Sequence, residues 1–78
     1  MSRLQYDLTV DVGTSQEMDE VERMVLEKVD VVSSHMSEIT PLRRTFVILV
    51  SRSRVAFNLA GEMVCSGMAK TAFVQMHG

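Results

Sequence analysis

The first apolar pattern of the chain has a period of two. Within residues 4–12 every even position is apolar and every odd position is polar. Such alternation is typical of a strand with one buried face and one solvated face, so we predict a strand over 4–12. Gly13 interrupts the pattern, and Thr14 followed by Glu17 has the spacing of a capping box. A helix is therefore expected to begin at about residue 15.

The next apolar pattern follows the helical repeat. Apolar residues recur at intervals of three or four, at Met18, Val21, Val25, Val29, Val32, Met36 and Ile39. This spacing predicts an amphipathic helix over 15–37. Pro41 follows shortly afterwards, and the residue before a proline avoids helical geometry, so the helix is expected to end before it.

The second half of the chain contains a second strand and a second helical pattern. The continuous β-branched and aromatic run Thr45–Val50 predicts a strand over 45–51 that is buried on both faces. Beyond it, polar residues recur every four positions, at Arg54, Asn58, Glu62, Ser66 and Lys70. That period predicts a helix over 53–75 with a wide apolar girth, and Gly67 is a candidate position for a break.

These elements predict one small domain over 1–78, of the α/β or α+β class, with two helices on one face of a short sheet. A strand–helix–strand crossover places the two strands parallel. Two strands and two helices leave too much apolar surface uncovered for a chain that is 46% hydrophobic. We therefore expect a homodimer to complete the sheet. The predicted interface residues are Phe46, Ile48, Val50, Phe57, Ala60, Val64 and Met68.

Several classes of protein are disfavoured by the sequence. The single cysteine, Cys65, has no intramolecular disulfide partner and lies among apolar residues, where thiols are inert. His35 and His77 have no metal-ligand spacing with it or with each other. No catalytic constellation, cofactor motif, signal peptide or membrane-spanning run is recognisable. We expect a cytoplasmic protein that is not an enzyme and uses neither cofactor nor metal.

Charge divides the chain in two. Residues 1–38 carry nine acids and three bases, whereas residues 39–78 carry one acid and five bases. The acidic helix is a candidate surface for a basic protein partner, although a solvated helix face explains the same pattern. The residues of this acidic surface are Glu17, Glu20, Glu27 and Asp30.

The basic residues suggest an anion site. If the strands are parallel, the loops 13–15 and 51–54 lie side by side at the carboxyl edge of the sheet, and both lead into helix N-termini. A phosphate group would bind there. The serines would otherwise serve only as helix caps, and the arginines would only solubilise the surface. The candidate residues are Arg43, Arg44, Ser51, Arg52, Ser53 and Arg54.

The segment 46–64 combines a buried strand, an arginine-containing turn and an alanine-bearing helix. In this it resembles the Alba family of small dimeric nucleic-acid-binding proteins, whose elements also begin strand, helix, strand, helix. The resemblance implies that the basic turn contacts nucleic acid. Arg52 and Arg54 would be the matching basic positions.

The sequence therefore favours a non-enzymatic homo-oligomer that binds another macromolecule, a protein in the first instance, and regulates or inhibits it. The alternative is a dimeric nucleic-acid-binding protein that uses Arg43, Arg44, Arg52 and Arg54. A third possibility is a phosphate-ligand site at the paired loops. Whether the acidic or the basic surface binds the partner is left open.

Overall fold

The computed structural model describes residues 3–78, so the first two positions of the predicted domain lie outside the described residues. Four strands and two helices follow one another in the order β1 (Leu4–Asp11), α1 (Ser15–Lys28), β2 (Asp30–Met36), β3 (Arg43–Val50), α2 (Ser53–Cys65) and β4 (Thr71–Met76). The strands form one sheet in the order β2-β3-β1-β4, and every neighbouring pair is antiparallel. This is the split β-α-β arrangement of ferredoxin-like topologies.

The predicted fold class, a small α+β domain with both helices on one face of a short sheet, is confirmed. The inward side chains of β1 and β3 pack with those of both helices in a single core, among them Leu8, Ile48, Met18 and Met63. The alternation predicted for the first strand holds at Tyr6, Leu8 and Val10, which are all buried, but Leu4 is 37% exposed and Thr9 on the opposite face is buried as well.

The predicted helix over 15–37 is wrong beyond Lys28. The helix begins as expected, since the Thr14 hydroxyl accepts a hydrogen bond from the Glu17 backbone N–H at 3.1 Å. It ends before Val29, and residues 30–36 form the edge strand β2 instead. The run Val29 to Val32 is rich in β-branched residues, which favour an extended backbone.

The predicted helix over 53–75 is wrong beyond Cys65. Gly67 has a φ of +77°, a conformation that L residues rarely adopt, and it ends the helical path. Ser66 and Met68 are held by backbone bonds from their N–H groups to the carbonyls of Glu62 and Met63. The chain then returns along the sheet as β4, which pairs with β1.

The two strands that were predicted to be parallel are antiparallel. β1 pairs with β3 in a register that joins Leu4 to Val50 and Asp11 to Arg43. The direction of β3 is reversed because β2 precedes it and the two form a hairpin. One chain thus supplies four strands, and the sheet does not need a second copy in order to reach a stable size.

Candidate interaction surfaces

Most of the predicted interface residues lie inside one chain. Phe46, Ile48, Val50 and Ala60 are all buried in the core described above. Their apolar character is explained by the four strands and two helices of a single copy, so they are not available to a partner. The prediction placed them at an interface because it assigned the residues of β2 and β4 to helices and so left the sheet with only two strands.

The remaining predicted interface residues lie on one flank of α2. Phe57 is 54% exposed and Val64 is 40% exposed, whereas Met68 is half-buried. Phe57 and Val64 are seven residues apart, which places them on the same side of the helix about 10 Å apart along its axis. The Phe57 ring meets the Tyr6 ring edge to face, with 6.5 Å between the centroids.

β4 extends this apolar flank. Tyr6 is paired in register with Met76, so Phe57 lies near the same end of the sheet as Met76. Met76 is 61% exposed. We call the group formed by Phe57, Val64 and Met76 the α2–β4 surface. It lies beside an edge strand, and no other element of residues 3–78 covers it.

The predicted basic cluster is divided between the two ends of β3. Arg43 and Arg44 lie at its start, and residues 51–54 follow its end, roughly 23 Å away at about 3.3 Å per residue. The loop 13–15 lies at the Arg43 end, because β1 and β3 are antiparallel. The paired phosphate-binding loops expected from parallel strands are therefore wrong.

Arg43 and Arg44 are already engaged by acids of the same chain. Arg43 donates two hydrogen bonds to Asp11. Arg44 forms an ion pair with Glu22, donates to the sulfur of Met36 at 3.1 Å and lies over the Phe46 ring. Both guanidinium charges are thus largely neutralised before any phosphate could approach.

The other end of β3 carries a small cleft. It has a volume of about 180 Å³, below the roughly 300–1,000 Å³ of small-molecule sites. Arg3 in its lining is paired with Asp30, and Arg52, Ser53 and Arg54 nearby are exposed. Arg52 stands at the N-cap of α2 but makes no side-chain capping bond.

The predicted acidic surface is only partly on α1. Glu17 is half-buried and accepts a hydrogen bond from the Thr14 hydroxyl, and Asp30 belongs to β2. Glu20 and Glu27 are exposed on the helix and form no ion pair within residues 3–78. These two carboxylates are seven residues apart on the outward side of the helix.

Sequence reasoning did not single out the open face of the sheet, which no helix of residues 3–78 covers, as a candidate surface. Its side chains pair with one another: Asp7 with the His77 ring at 2.7 Å, and Thr9 with Thr45 at 3.0 Å. Apolar groups lie between these pairs, with Val47 buried and Phe73 of β4 exposed. The signal was hidden because residues 71–75 were assigned to the end of the predicted helix over 53–75.

The Asp11 carboxylate lies at the corner of the open face, where neighbouring hydrogen-bond donors perturb it. Its pKa lies below the ordinary value near 3.8, chiefly because Arg43 donates to it and next because Thr71 does so. The same ion pair raises the pKa of Arg43. The pair is a fixed charge contact at the corner of the sheet, and its atoms are occupied by each other.

Other features of the described chain bear on chemistry. Cys65 is exposed at the end of α2 and is not surrounded by apolar groups as the sequence suggested. No three His, Cys, Asp or Glu side chains within residues 3–78 are arranged to hold a metal ion. No helix in that same range is long and apolar enough to cross a membrane. No significant match to this chain was found among protein-family models, curated proteins or solved structures.

Proposed function

We propose that this chain is a non-enzymatic interaction protein that forms a homodimer and binds another protein, which it regulates or inhibits. The observation that supports the proposal is the α2–β4 surface, where Phe57, Val64 and Met76 are left uncovered by the other elements of residues 3–78. The topology itself carries no functional argument, because one fold serves many functions.

The size of this surface favours a protein partner. Covering the exposed half of Phe57 alone would remove on the order of 100 Å² of apolar area from water, worth about 2.5 kcal/mol at roughly 25 cal/mol per Å². Val64 and Met76 add to that gain, since each is exposed by 40% or more. Large apolar side chains that lie together beside an edge strand are typical of interfaces.

In such a dimer, a surface would remain free for the other protein, which the dimer regulates or inhibits. The open face of the sheet lies on the side away from both helices, and Leu49 and Phe73 contribute apolar area to it. Several of its polar groups are paired within the chain, Asp7 with His77 and Thr9 with Thr45, so a partner could cover these groups at little desolvation cost. We therefore assign the second protein to this face.

The nucleic-acid alternative has less support from the geometry. Arg43 and Arg44 are paired with acids, and Arg52 and Arg54 lie at the other end of β3. A nucleic-acid surface needs several free cations along one face, because the phosphate backbone supplies most of the affinity. The phosphate-ligand alternative loses its paired loops for the same topological reason.

Sedimentation equilibrium tests the self-association, with Phe57→Ser/Val64→Ser as the test variant and Leu26→Ser as the matched control. Leu26 is exposed to a similar degree, at 57%, but lies on α1. The wild-type protein and the control should sediment as dimers of the 8.8 kDa chain, and the double variant as a monomer. A wild-type monomer at several hundred micromolar would refute the homodimer.

Partner binding needs a separate test. Wild-type protein and the variants Leu49→Lys and Leu26→Lys are immobilised and used to capture proteins from the native cell lysate. A partner that fits the proposal is retained by wild type and Leu26→Lys and lost with Leu49→Lys, and the free protein alters the activity of that partner. Equal capture by the wild-type protein and both variants would exclude the open face as the binding surface.

A further inference from the structure

We infer that the second copy in the proposed dimer adds to the free edge of β4, so that two antiparallel β4 strands meet on a twofold axis at Val74 and the sheet becomes continuous across both chains. This inference rests on the proposed homodimer and specifies how it forms. Three observations support it. The pairing with β1 leaves alternate backbone groups of β4 free, the edge from Thr71 to Met76 has no charged residue, proline or bulge, and α2 lies above β4.

The hydrogen-bonding pattern between β4 and β1 determines which backbone groups of β4 are free to bind another strand. The His77 N–H donates to the Gln5 carbonyl at 3.0 Å. Because inward and outward bonding alternate along an antiparallel strand, the odd-numbered residues of β4 bond to β1. Ala72, Val74 and Met76 therefore direct their N–H and C=O groups away from the sheet, at its free edge.

The free edge of β4 lacks the features that usually prevent strand addition. Its sequence from Thr71 to Met76 contains no charged residue and no proline, and its register with β1 has no bulge. The opposite edge differs, because β2 begins with Asp30 and has an irregular register between Val31 and Ser33. Of the two edges, only that of β4 is both straight and uncharged.

The edge residues suit pairing with their own copy. Under a twofold axis, if residue i of one copy faces residue j of the other, then residue j of the first copy faces residue i of the second. With Val74 opposite Val74, the small Ala72 lies opposite the large Met76 of the second copy, and all the outward backbone groups of the edge find partners. On the open face, the two Phe73 rings become diagonal neighbours, within reach of each other.

The helices are placed so that they can meet when the strands do. α2 packs chiefly over β4 and next over β1. Neighbouring strands are about 4.8 Å apart, so a helix above the gap between β4 and β1 would lie about 10 Å from its symmetry mate. Packed helices are separated by about 8–10 Å, so the two α2 helices would be in direct contact.

The facing flanks of the two α2 helices would be apolar. α2 and β4 run antiparallel, so the twofold axis turns Phe57 of one copy toward Val64 of the other. Glu62 does not interfere, because it lies on the opposite flank within 3.9 Å of Lys28. Strand addition would thus cover the α2–β4 surface with the same surface of a second copy.

Hydrogen exchange of the wild-type protein, followed by NMR, tests the pairing without any substitution. In the dimer, the amides of Ala72, Val74 and Met76 should be protected, and they should exchange rapidly after dilution to the monomer. The amides of Phe73 and Gln75 bond to β1 and should stay protected at both concentrations. A dimer in which the even-numbered amides remain unprotected would overturn this inference and leave the proposed homodimer intact.

A pair of proline variants provides the second test. Ala72→Pro removes an outward N–H and little side-chain packing, and proline is tolerated where the N–H of an edge strand faces solvent. The loss of one inter-chain hydrogen bond on each side of the axis should raise the dimer dissociation constant about 30-fold. Ser34→Pro makes the same change in β2, because the Ser37 N–H donates to the Arg43 carbonyl and the even-numbered residues after the irregularity therefore face the free edge. It should alter the constant less than about 2-fold, within the scatter expected of a site remote from the interface.

Circular dichroism establishes that both proline variants are folded before their dissociation constants are compared. If Ala72→Pro does not fold, the exchange experiment on wild-type protein decides the question alone. An unchanged dissociation constant in folded Ala72→Pro would overturn the inference. Protection of the edge amides only after a different protein is added would do so as well, because the edge would then serve a foreign strand.

Discussion

Arg43 and Asp11 form a two-point ion pair between β3 and β1, in which Arg43 Nε donates to Oδ1 at 2.7 Å and Nη2 donates to Oδ2 at 3.1 Å. Thr71 of β4 donates to the same Oδ2 at 2.7 Å. One carboxylate therefore joins three neighbouring strands at a corner of the open face. Its charge is stabilised by donors from both sides, which is why its pKa is lowered.

The stability supplied by Asp11 should depend on pH in a defined direction. Because the pKa of Asp11 is lower in the folded state than in the unfolded chain, its contribution is fully present above the ordinary value near 3.8 and is lost as the pH falls through the folded pKa. Asp11→Asn should therefore be less stable than wild type at pH 7. The difference should shrink below about pH 4 and vanish once the wild-type carboxylate is protonated.

Urea unfolding of both proteins between pH 2 and pH 7, followed by circular dichroism, provides the measurement. Asp19→Asn is a suitable control, because Asp19 is exposed on α1 and forms no ion pair within the described residues. A stability difference between Asp11→Asn and wild type that does not change with pH would contradict the assignment of the lowered pKa to this pair.

The Thr9–Thr45 hydrogen bond should be detectable as a coupling energy. Thr9 is buried at the centre of the open face, and its hydroxyl lies 3.0 Å from that of Thr45. Thr9→Val should lower the free energy of unfolding by about 1 kcal/mol, since it leaves the Thr45 hydroxyl without this partner. Thr9→Val/Thr45→Val should recover most of that loss, because both polar groups are then removed together.

A double-mutant cycle from urea unfolding at pH 7 measures this coupling. If the two single changes are simply additive, the two hydroxyls do not interact in solution. The cycle also reports on the open face directly, since both residues lie on strands that no helix covers on that side.

Two glycines should respond to alanine in opposite directions. Gly67 has a φ of +77°, and an L residue in the left-handed region costs about 1 kcal/mol. Gly61 lies within α2, and a Cβ added there would meet no atom within 4 Å. Gly61→Ala should therefore raise the stability by about 0.5–1 kcal/mol through its better helix propensity, whereas Gly67→Ala should lower it.

Thermal and urea unfolding of the two alanine variants, at the same protein concentration, measure both effects. If Gly67→Ala unfolds at the wild-type midpoint, the turn that ends α2 does not require a positive φ. In that case the helix could extend toward β4, closer to the range that the sequence pattern predicts.

The starts of β1 and of both helices could be predicted from the sequence, but the ends of both helices, and with them the strands β2 and β4, could not. Val29, Val32 and Met36 continue the three-and-four spacing of α1, although they lie beyond its last turn. β2 is an exposed edge strand, so it carries no alternation strong enough to contradict that spacing. The β-branched residues of the run Val29 to Val32 were the available signal for a strand. The helical spacing of the apolar residues was given more weight, so the strand was missed.

The misplaced helix ends also determined which residues of the candidate surface could be predicted. Phe57 and Val64 were identified correctly as residues of a wide apolar flank, because their helix was placed correctly. The buried Phe46 and Ile48 were assigned to an interface because the strands that complete their sheet were read as helices. The free edge of β4 depends on a long-range pairing with β1, which no local period encodes.

Arginine substitutions at Ala60 and Cys65 should separate the inward side of α2 from its exposed end. In the sequence both residues lie among apolar neighbours, so either change would be expected to disrupt packing. Ala60 is buried, so Ala60→Arg places an unpaired charge in the core and should lower the stability by more than about 3 kcal/mol. Cys65 is exposed in the last turn of the helix, where a cation interacts favourably with the helix dipole.

Cys65→Arg should therefore change the free energy of unfolding by less than about 0.5 kcal/mol. Urea unfolding of the two variants measures this contrast, and thiol labelling of folded wild-type protein checks the exposure of Cys65 independently. Strong destabilisation by Cys65→Arg, together with a thiol that reacts only after unfolding, would mean that the end of α2 is covered. Because the α2–β4 surface adjoins that end, labelling at concentrations above and below dimer dissociation would then show whether a second copy provides the cover.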